Sequence, residues 1–132
     1  MSTAAPLFAK ELDWNDPHLN TADLHCHSTV SDGTLTPEEL AARAAANGVQ
    51  IWSLTDHDEV GGLARAAKAA AEHNMIFVPG VEISVTWSAV TLHIVGLNVQ
   101  YENSPLEKGL ASVRHGRTER AMEMSRQLEK VG

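Results

Sequence analysis

The residues with the most chemistry in this chain are histidines and carboxylates placed at the ends of short apolar runs. His25-Cys26-His27 comes first. On an extended strand, residues two apart share a face, so both imidazoles can reach one ion while Cys26 points away. Taken alone, such a pair is as often two polar residues entering a loop. Thr55-Asp56-His57-Asp58 closes a second apolar run, and its plain reading is a helix-capping Asp58 beside an exposed His57. Glu82 stands between Val81 and Ile83. A carboxylate buried there is costly unless it is paired or coordinated. Its two oxygens could bridge two ions; otherwise the strand is an edge and Glu82 faces water. His93 interrupts Leu92-His93-Ile94-Val95, where a satisfied core histidine is the commoner case. Asp32, just before Gly33, reads by itself as a turn aspartate. Each signal is modest, but their recurrence in order is hard to ascribe to chance. Imidazole and carboxylate donors without a thiolate suit Zn²⁺, Mn²⁺ or Fe²⁺.

These donors need elements to hold them. Residues 1–20 read as an irregular arm, with Asn15-Asp16-Pro17 as a turn. Ala22 to His27 reads as a strand running into a loop punctuated by Ser31-Asp32-Gly33. Thr36-Pro37-Glu38-Glu39 fits a capping box with proline at the first helical position. The helix runs through Ala46 and stops at Asn47-Gly48 in a left-handed turn. Val49 to Thr55 is a second strand, and Asp58 is the expected cap of a second helix reaching about His73, with Asn74 as its stop. Met75 to Val78 is a third strand. Val81 to Trp87 and Val90 to Val99 form two more, joined by a tight turn. In the last segment Leu106, Leu110, Val113, Ala121, Met124, Leu128 and Val131 make one apolar helical stripe. The β-α-β-α-β order predicts an α/β fold with a parallel sheet or barrel and helices outside.

Composition limits the alternatives. The chain has 132 residues, 43% of them hydrophobic, and a net charge of −7. That balance argues against stable binding of duplex nucleic acid through its phosphates. A small phosphorylated substrate stays open, because bound metal ions invert the local charge. Cys26 is the single cysteine, which excludes an internal disulfide. No apolar run reaches membrane-spanning length, and no signal-peptide core precedes residue 20. The expectation is a cytoplasmic protein without a membrane partner.

Asp23-Leu24-His25-Cys26-His27-Ser28, Ser31-Asp32-Gly33, Leu54-Thr55-Asp56-His57-Asp58, Gly80-Val81-Glu82-Ile83-Ser84 and His93 together resemble the polymerase-and-histidinol-phosphatase (PHP) superfamily over roughly residues 22–130. Leu54 to Leu63, with Gly61-Gly62, is similar to its stand-alone phosphoesterases that act on nucleoside 3′,5′-bisphosphates. The resemblance implies a distorted (β/α)7 barrel, of which residues 21–132 would supply the N-terminal part. A parallel barrel of the common eightfold kind needs about 250 residues. It also implies up to three divalent ions, Mn²⁺ foremost with Zn²⁺ or Fe²⁺ as alternatives. His25 and His27 would hold the first ion, Glu82 would bridge the first and second, His93 would hold the second, and Asp32 and His57 the third. A further histidine and a late Asp-x-His pair of the family pattern have no counterpart up to Gly132.

The implied reaction is hydrolysis of a small nucleotide's phosphomonoester by a metal-bound hydroxide, with the 3′-phosphate of a nucleoside 3′,5′-bisphosphate as the expected target. Alternatives are a 5′-3′ exonuclease on short oligonucleotides, an amidohydrolase and a non-catalytic metal-binding module. No protein nucleophile is expected, since Cys26 points away and Ser28 has no evident base. Extending the stripe of the last helix places Arg117 inward, with Arg120 beside it. The two could clamp a substrate phosphate. Equally, Arg117 could pair with Glu119, Glu123 or a neighbouring strand. Asp23 and Asp56 could orient ligating imidazoles or be purely structural. His18, His73 and His115 are expected to face solvent.

Overall fold

The computed structural model describes residues 7–8, 13 and 15–132. Its first layer is a parallel sheet of four short strands: β1 (Leu7–Phe8), β2 (Ala22–Asp23), β3 (Ile51–Trp52) and β4 (Ile76–Phe77), in the order β1-β4-β3-β2. Both residues of β3 and of β4 are buried, as expected for parallel strands covered on two faces. Backbone pairing outlasts these ladders. Ser53 N–H donates to Asp23 O, Thr55 N–H to Cys26 O and Val78 N–H to Trp52 O. The arm expected over residues 1–20 is therefore not wholly irregular, because Leu7–Phe8 pairs in parallel with Ile76–Phe77.

The two connecting helices are α1 (Pro37–Ala46) and α2 (Leu63–Glu72), and they pack on each other. The Thr36 capping box forms with both of its reciprocal bonds, and Gly48 takes the left-handed φ of 79° after the helix. Ala41 and Ala44 of α1, and Leu63, Ala66, Ala67, Ala69 and Ala70 of α2, face the core. Trp52 and Phe77, both fully buried, fill the space beneath them with ring centroids 5.7 Å apart.

Asp58 does not cap α2. That helix starts at Leu63 with Gly62 as N-cap and no side-chain cap bond. A Cβ at Gly62 would lie 3.1 Å from Val30 and 3.2 Å from Leu54, so helix entry is set by close packing. The expected stop does form, with Asn74 at the left-handed φ of 56° just past the helix.

A hairpin of β5 (Gly80–Trp87) and β6 (Val90–Leu97) follows, and a parallel bridge between His57 and Glu82 ties it to the sheet. Its turn residues Ser88 and Ala89 have φ of 47° and 65°, the sign pattern of a type I′ turn without the usual Asn-Gly. The long helix α3 (Pro105–Val131) ends the chain. Its expected stripe is only partly used. Leu110 is its one buried residue among those described, while Met124, Leu128 and Val131 are 63%, 67% and 84% exposed. No helix among the described residues is long and apolar enough to cross a membrane.

Candidate metal centre

The extended chain beyond β2 delivers the first two imidazoles. Cys26 turns toward β3, where its thiol donates to Ser53 O at 3.2 Å. His25 and His27 turn the other way and meet Glu82, with Nε2 atoms 2.8 and 3.0 Å from its Oε2. Burial, with Asp23 nearby, pushes the Cys26 thiol up to about 12, so it remains protonated and outside the donor set.

Glu82 is 6% exposed and lies at the centre of the group. Its N–H donates to Asp56 O, and its own carbonyl accepts from Asp58 N–H. Those two bonds set the strand bearing Glu82 in register with the loop bearing His57. His57 Nδ1 then lies 3.8 Å from Glu82 Oε2. His93 pairs across the hairpin with Ser84, which shares a face with Glu82. That diagonal position brings His93 Nδ1 to 3.7 Å from Glu82 Oε1. Burial raises the Glu82 carboxyl, but the His25 hydrogen bond and the charges of His57, His25 and His27 outweigh it and hold the group below its ordinary range.

Asp32 enters from the loop after His27. Its carboxylate stands 3.8 Å from His27 Nδ1 and 3.6 Å from His57 Nε2. Gly33 makes this approach possible: a Cβ there would sit 2.1 Å from the His27 carbonyl oxygen. The structure thus brings all six expected donors together, in three overlapping sets: His25-His27-Glu82, His27-Asp32-His57 and His57-Glu82-His93.

The sets suit divalent ions on chemical grounds. They mix imidazole and carboxylate, and His27 Nδ1 and His57 Nδ1 are buried without a hydrogen-bond partner among the described residues. Buried polar atoms of that kind call for a partner, and a cation that takes nitrogen and oxygen donors would supply one.

Other expected residues fall differently. Asp56, 2% exposed, accepts from Ser28 N–H, Ser28 Oγ and Ser31 Oγ, and no described hydrogen bond joins it to an imidazole. Asp23 accepts from the backbone N–H of His25, not from its ring. Arg117 Nη1 pairs with Asp58 Oδ2 at 3.0 Å, and Arg120 Nη1 donates to Thr86 Oγ1 at 3.3 Å. The partner of Arg117 is thus neither Glu119 nor Glu123. Sequence reasoning gave no role to Arg114, which donates to Asp58 O at 2.6 Å and pairs with Glu59. It also missed Ser31 and the buried hydroxyl of Ser28. Their partner lies 25 to 28 residues away, and no local spacing marks it. His18, His73 and His115 are exposed.

The PHP domain model matches residues 23–128. The chain belongs to the PHP family. Among curated relatives, it is 52% identical over 110 residues to the 3′,5′-nucleoside bisphosphate phosphatase of Chromobacterium violaceum, covering 83% of this chain and 39% of that protein. It is 46% identical to a 5′-3′ exoribonuclease of Haemophilus influenzae, with 83% and 40% covered. Among solved structures, a C. violaceum protein described as an amidohydrolase with bound sulfate and no metal superposes with a TM-score of 0.77 at 50% identity. That superposition covers 86% of this PHP chain and 40% of the other. A Bifidobacterium adolescentis protein described as a metal-dependent phosphoesterase gives 0.74 at 29% identity, with 83% and 38% covered. The chain therefore spans about two fifths of the length of the curated relatives it matches.

Proposed function

We propose that the whole protein is a metal-dependent phosphoesterase of the PHP family, built as a (β/α)7 barrel, that removes a phosphate from a small nucleotide. The observation that carries this reading is the convergence of four imidazoles on the two oxygens of one buried carboxylate, Glu82, at 2.8 to 3.8 Å. His25, His27 and Glu82 would hold one ion, His57, Glu82 and His93 a second, and His27, Asp32 and His57 a third, Mn²⁺ being the first choice. When bound, such ions supply the Lewis acidity that activates water and neutralises charge on phosphoryl oxygens.

The chain's own residues do the rest. Glu82 holds the imidazoles at fixed spacing. Contrary to the expectation of no base, the Ser28 hydroxyl donates to Asp56, but it is fully buried and out of reach of a substrate. The Cys26 thiol stays protonated and donates to Ser53 O. That disfavours a covalent intermediate. Arg117 and Arg120 lie along α3 facing Asp58 and Thr86, and we assign them to a substrate phosphate, which suits the arginine fork.

The nucleoside 3′,5′-bisphosphate substrate rests on the likeness to the C. violaceum phosphatase. The likeness to an exoribonuclease favours a second reading, in which the same centre cuts short 5′-phosphorylated RNA. Assay of the full-length protein with Mn²⁺ separates them. Release of 3′-phosphate from adenosine 3′,5′-bisphosphate, well above nucleotide release from a 5′-phosphorylated oligoribonucleotide, is expected. The reverse order would establish the nuclease. Activity only on a panel of amides would overturn both.

A further inference from the structure

Asp56 precedes a ligand in sequence yet touches no imidazole, although it is 2% exposed. A carboxylate so buried must be compensated, and the compensation comes from one loop. Asp56 Oδ1 accepts from Ser28 N–H and from Ser31 Oγ, each at 2.7 Å, and Oδ2 accepts from Ser28 Oγ at 2.7 Å. Three short charge-assisted bonds thus clasp residues 28–31. The loop is also closed on itself, with Ser31 N–H and Gly33 N–H both donating to Ser28 O. The next side chain along is Asp32, which lies 66% exposed with His27 and His57 at 3.8 and 3.6 Å. Ser31 Oγ is 3.4 Å from Asp32 Oδ1, but its single proton is committed to the closer Asp56.

Of the six candidate donors this loop carries only Asp32, while His27, just before it, and His57 are each shared with another set. Asp32 belongs only to the group with His27 and His57. Glu82 and His93 lie on the hairpin, and His25 lies before the loop. We propose that Asp56 and Ser31 are positioning residues for a single ion of the cluster, the one Asp32 would hold, and leave the His25-His27-Glu82 ion unaffected. The inference rests on the metal-cluster reading above and adds that the cluster's sites are separately supported.

The test is calorimetric titration of metal-free full-length protein with Mn²⁺, comparing wild type, Ser31→Ala, Ser31→Thr, Asp32→Ala and the Ser31→Ala/Asp32→Ala double variant. Ser31 is half-buried in a loop outside the apolar core, so its alanine variant folds, which a thermal melt checks. Ser31→Ala is expected to weaken one class of Mn²⁺ site roughly ten- to a hundredfold, the same class that Asp32→Ala weakens. It should add nothing in the Asp32→Ala background, and Ser31→Thr should restore binding. Equal weakening of every site, or wild-type binding by Ser31→Ala, would overturn the clasp. If Asp32→Ala itself binds Mn²⁺ as wild type does, the ligand reading beneath the proposal fails with it. Loss in Asp32→Ala with none in Ser31→Ala overturns the clasp alone.

Discussion

The ends of β3 and β5 and the far half of α3 invert the usual placement of polar and apolar side chains. Around the centre, Ser28, Thr55, Asp56, Asp58 and Glu82 are buried. Along the outer molecule, Trp87, Leu92, Ile94, Met124 and Leu128 are 74%, 45%, 53%, 63% and 67% exposed. Burial of a carboxylate is sustained only where donors meet it. Asp56 has three such donors, Asp58 has Ser84 N–H and the charge of Arg117 beside it, and Glu82 has imidazoles. The outer apolar side chains have no such constraint, since an exposed methyl group costs far less than an unpaired buried charge. The cluster around Glu82 is therefore marked by buried polar groups that have partners.

The widest break in this contrast would come from Glu82→Gln, which keeps the shape and removes the charge. Phosphate release by the full-length protein is expected to fall on the order of a thousandfold, the several kcal/mol that bound ions supply to such reactions. Added EDTA should bring the wild type to the same level. Activity within tenfold of wild type would show that the buried carboxylate is not what unites the site.

A smaller effect separates the two halves of α3. Leu110→Ala, at the buried position, should cost about 2–5 kcal/mol in urea unfolding of this chain. Leu128→Ala, at an exposed one, should stay within about 0.5 kcal/mol. Equal losses would mean that the helix is supported evenly along its length.

The smallest change lies away from both regions. Thr36 accepts from Glu39 N–H, and Glu39 Oε2 accepts from Thr36 N–H at 2.8 Å. Thr36→Ala should lower stability by about 1 kcal/mol, read by the same urea unfolding, and leave Mn²⁺ affinity unchanged. A shift in metal affinity would tie α1 to the centre and blur the boundary.

Much of this was legible in the linear order of residues, wherever a short-range rule applied. Thr36-Pro37-Glu38-Glu39 specified the cap of α1 because its partners are three residues apart. Asn47-Gly48 specified a left-handed stop and Asn74 a second stop, which the structure makes left-handed too. The period-two geometry of His25-Cys26-His27 already separated the two imidazoles that meet Glu82 from the thiol that meets Ser53. The same rules failed where a residue's options were decided at a distance. Asp58 has the composition of a helix cap, but it lies fully buried at φ 51° with Ser84 and Arg117 as partners. The stripe on α3 has the right period, but period alone does not state how much of it is covered.

By itself the sequence determined which side chains were available for chemistry and which local elements would carry them, because propensity, capping and strand alternation act over a few residues. Only the tertiary structure decided that His25 meets Glu82 across 57 positions of chain and that Arg114 reaches Asp58 across 56. It also set Asp56 against Ser28 and Ser31 of the loop that bears Asp32, and not against an imidazole. These pairings depend on how strands and helix are packed, and a buried charge accepts whichever donors that packing brings to it.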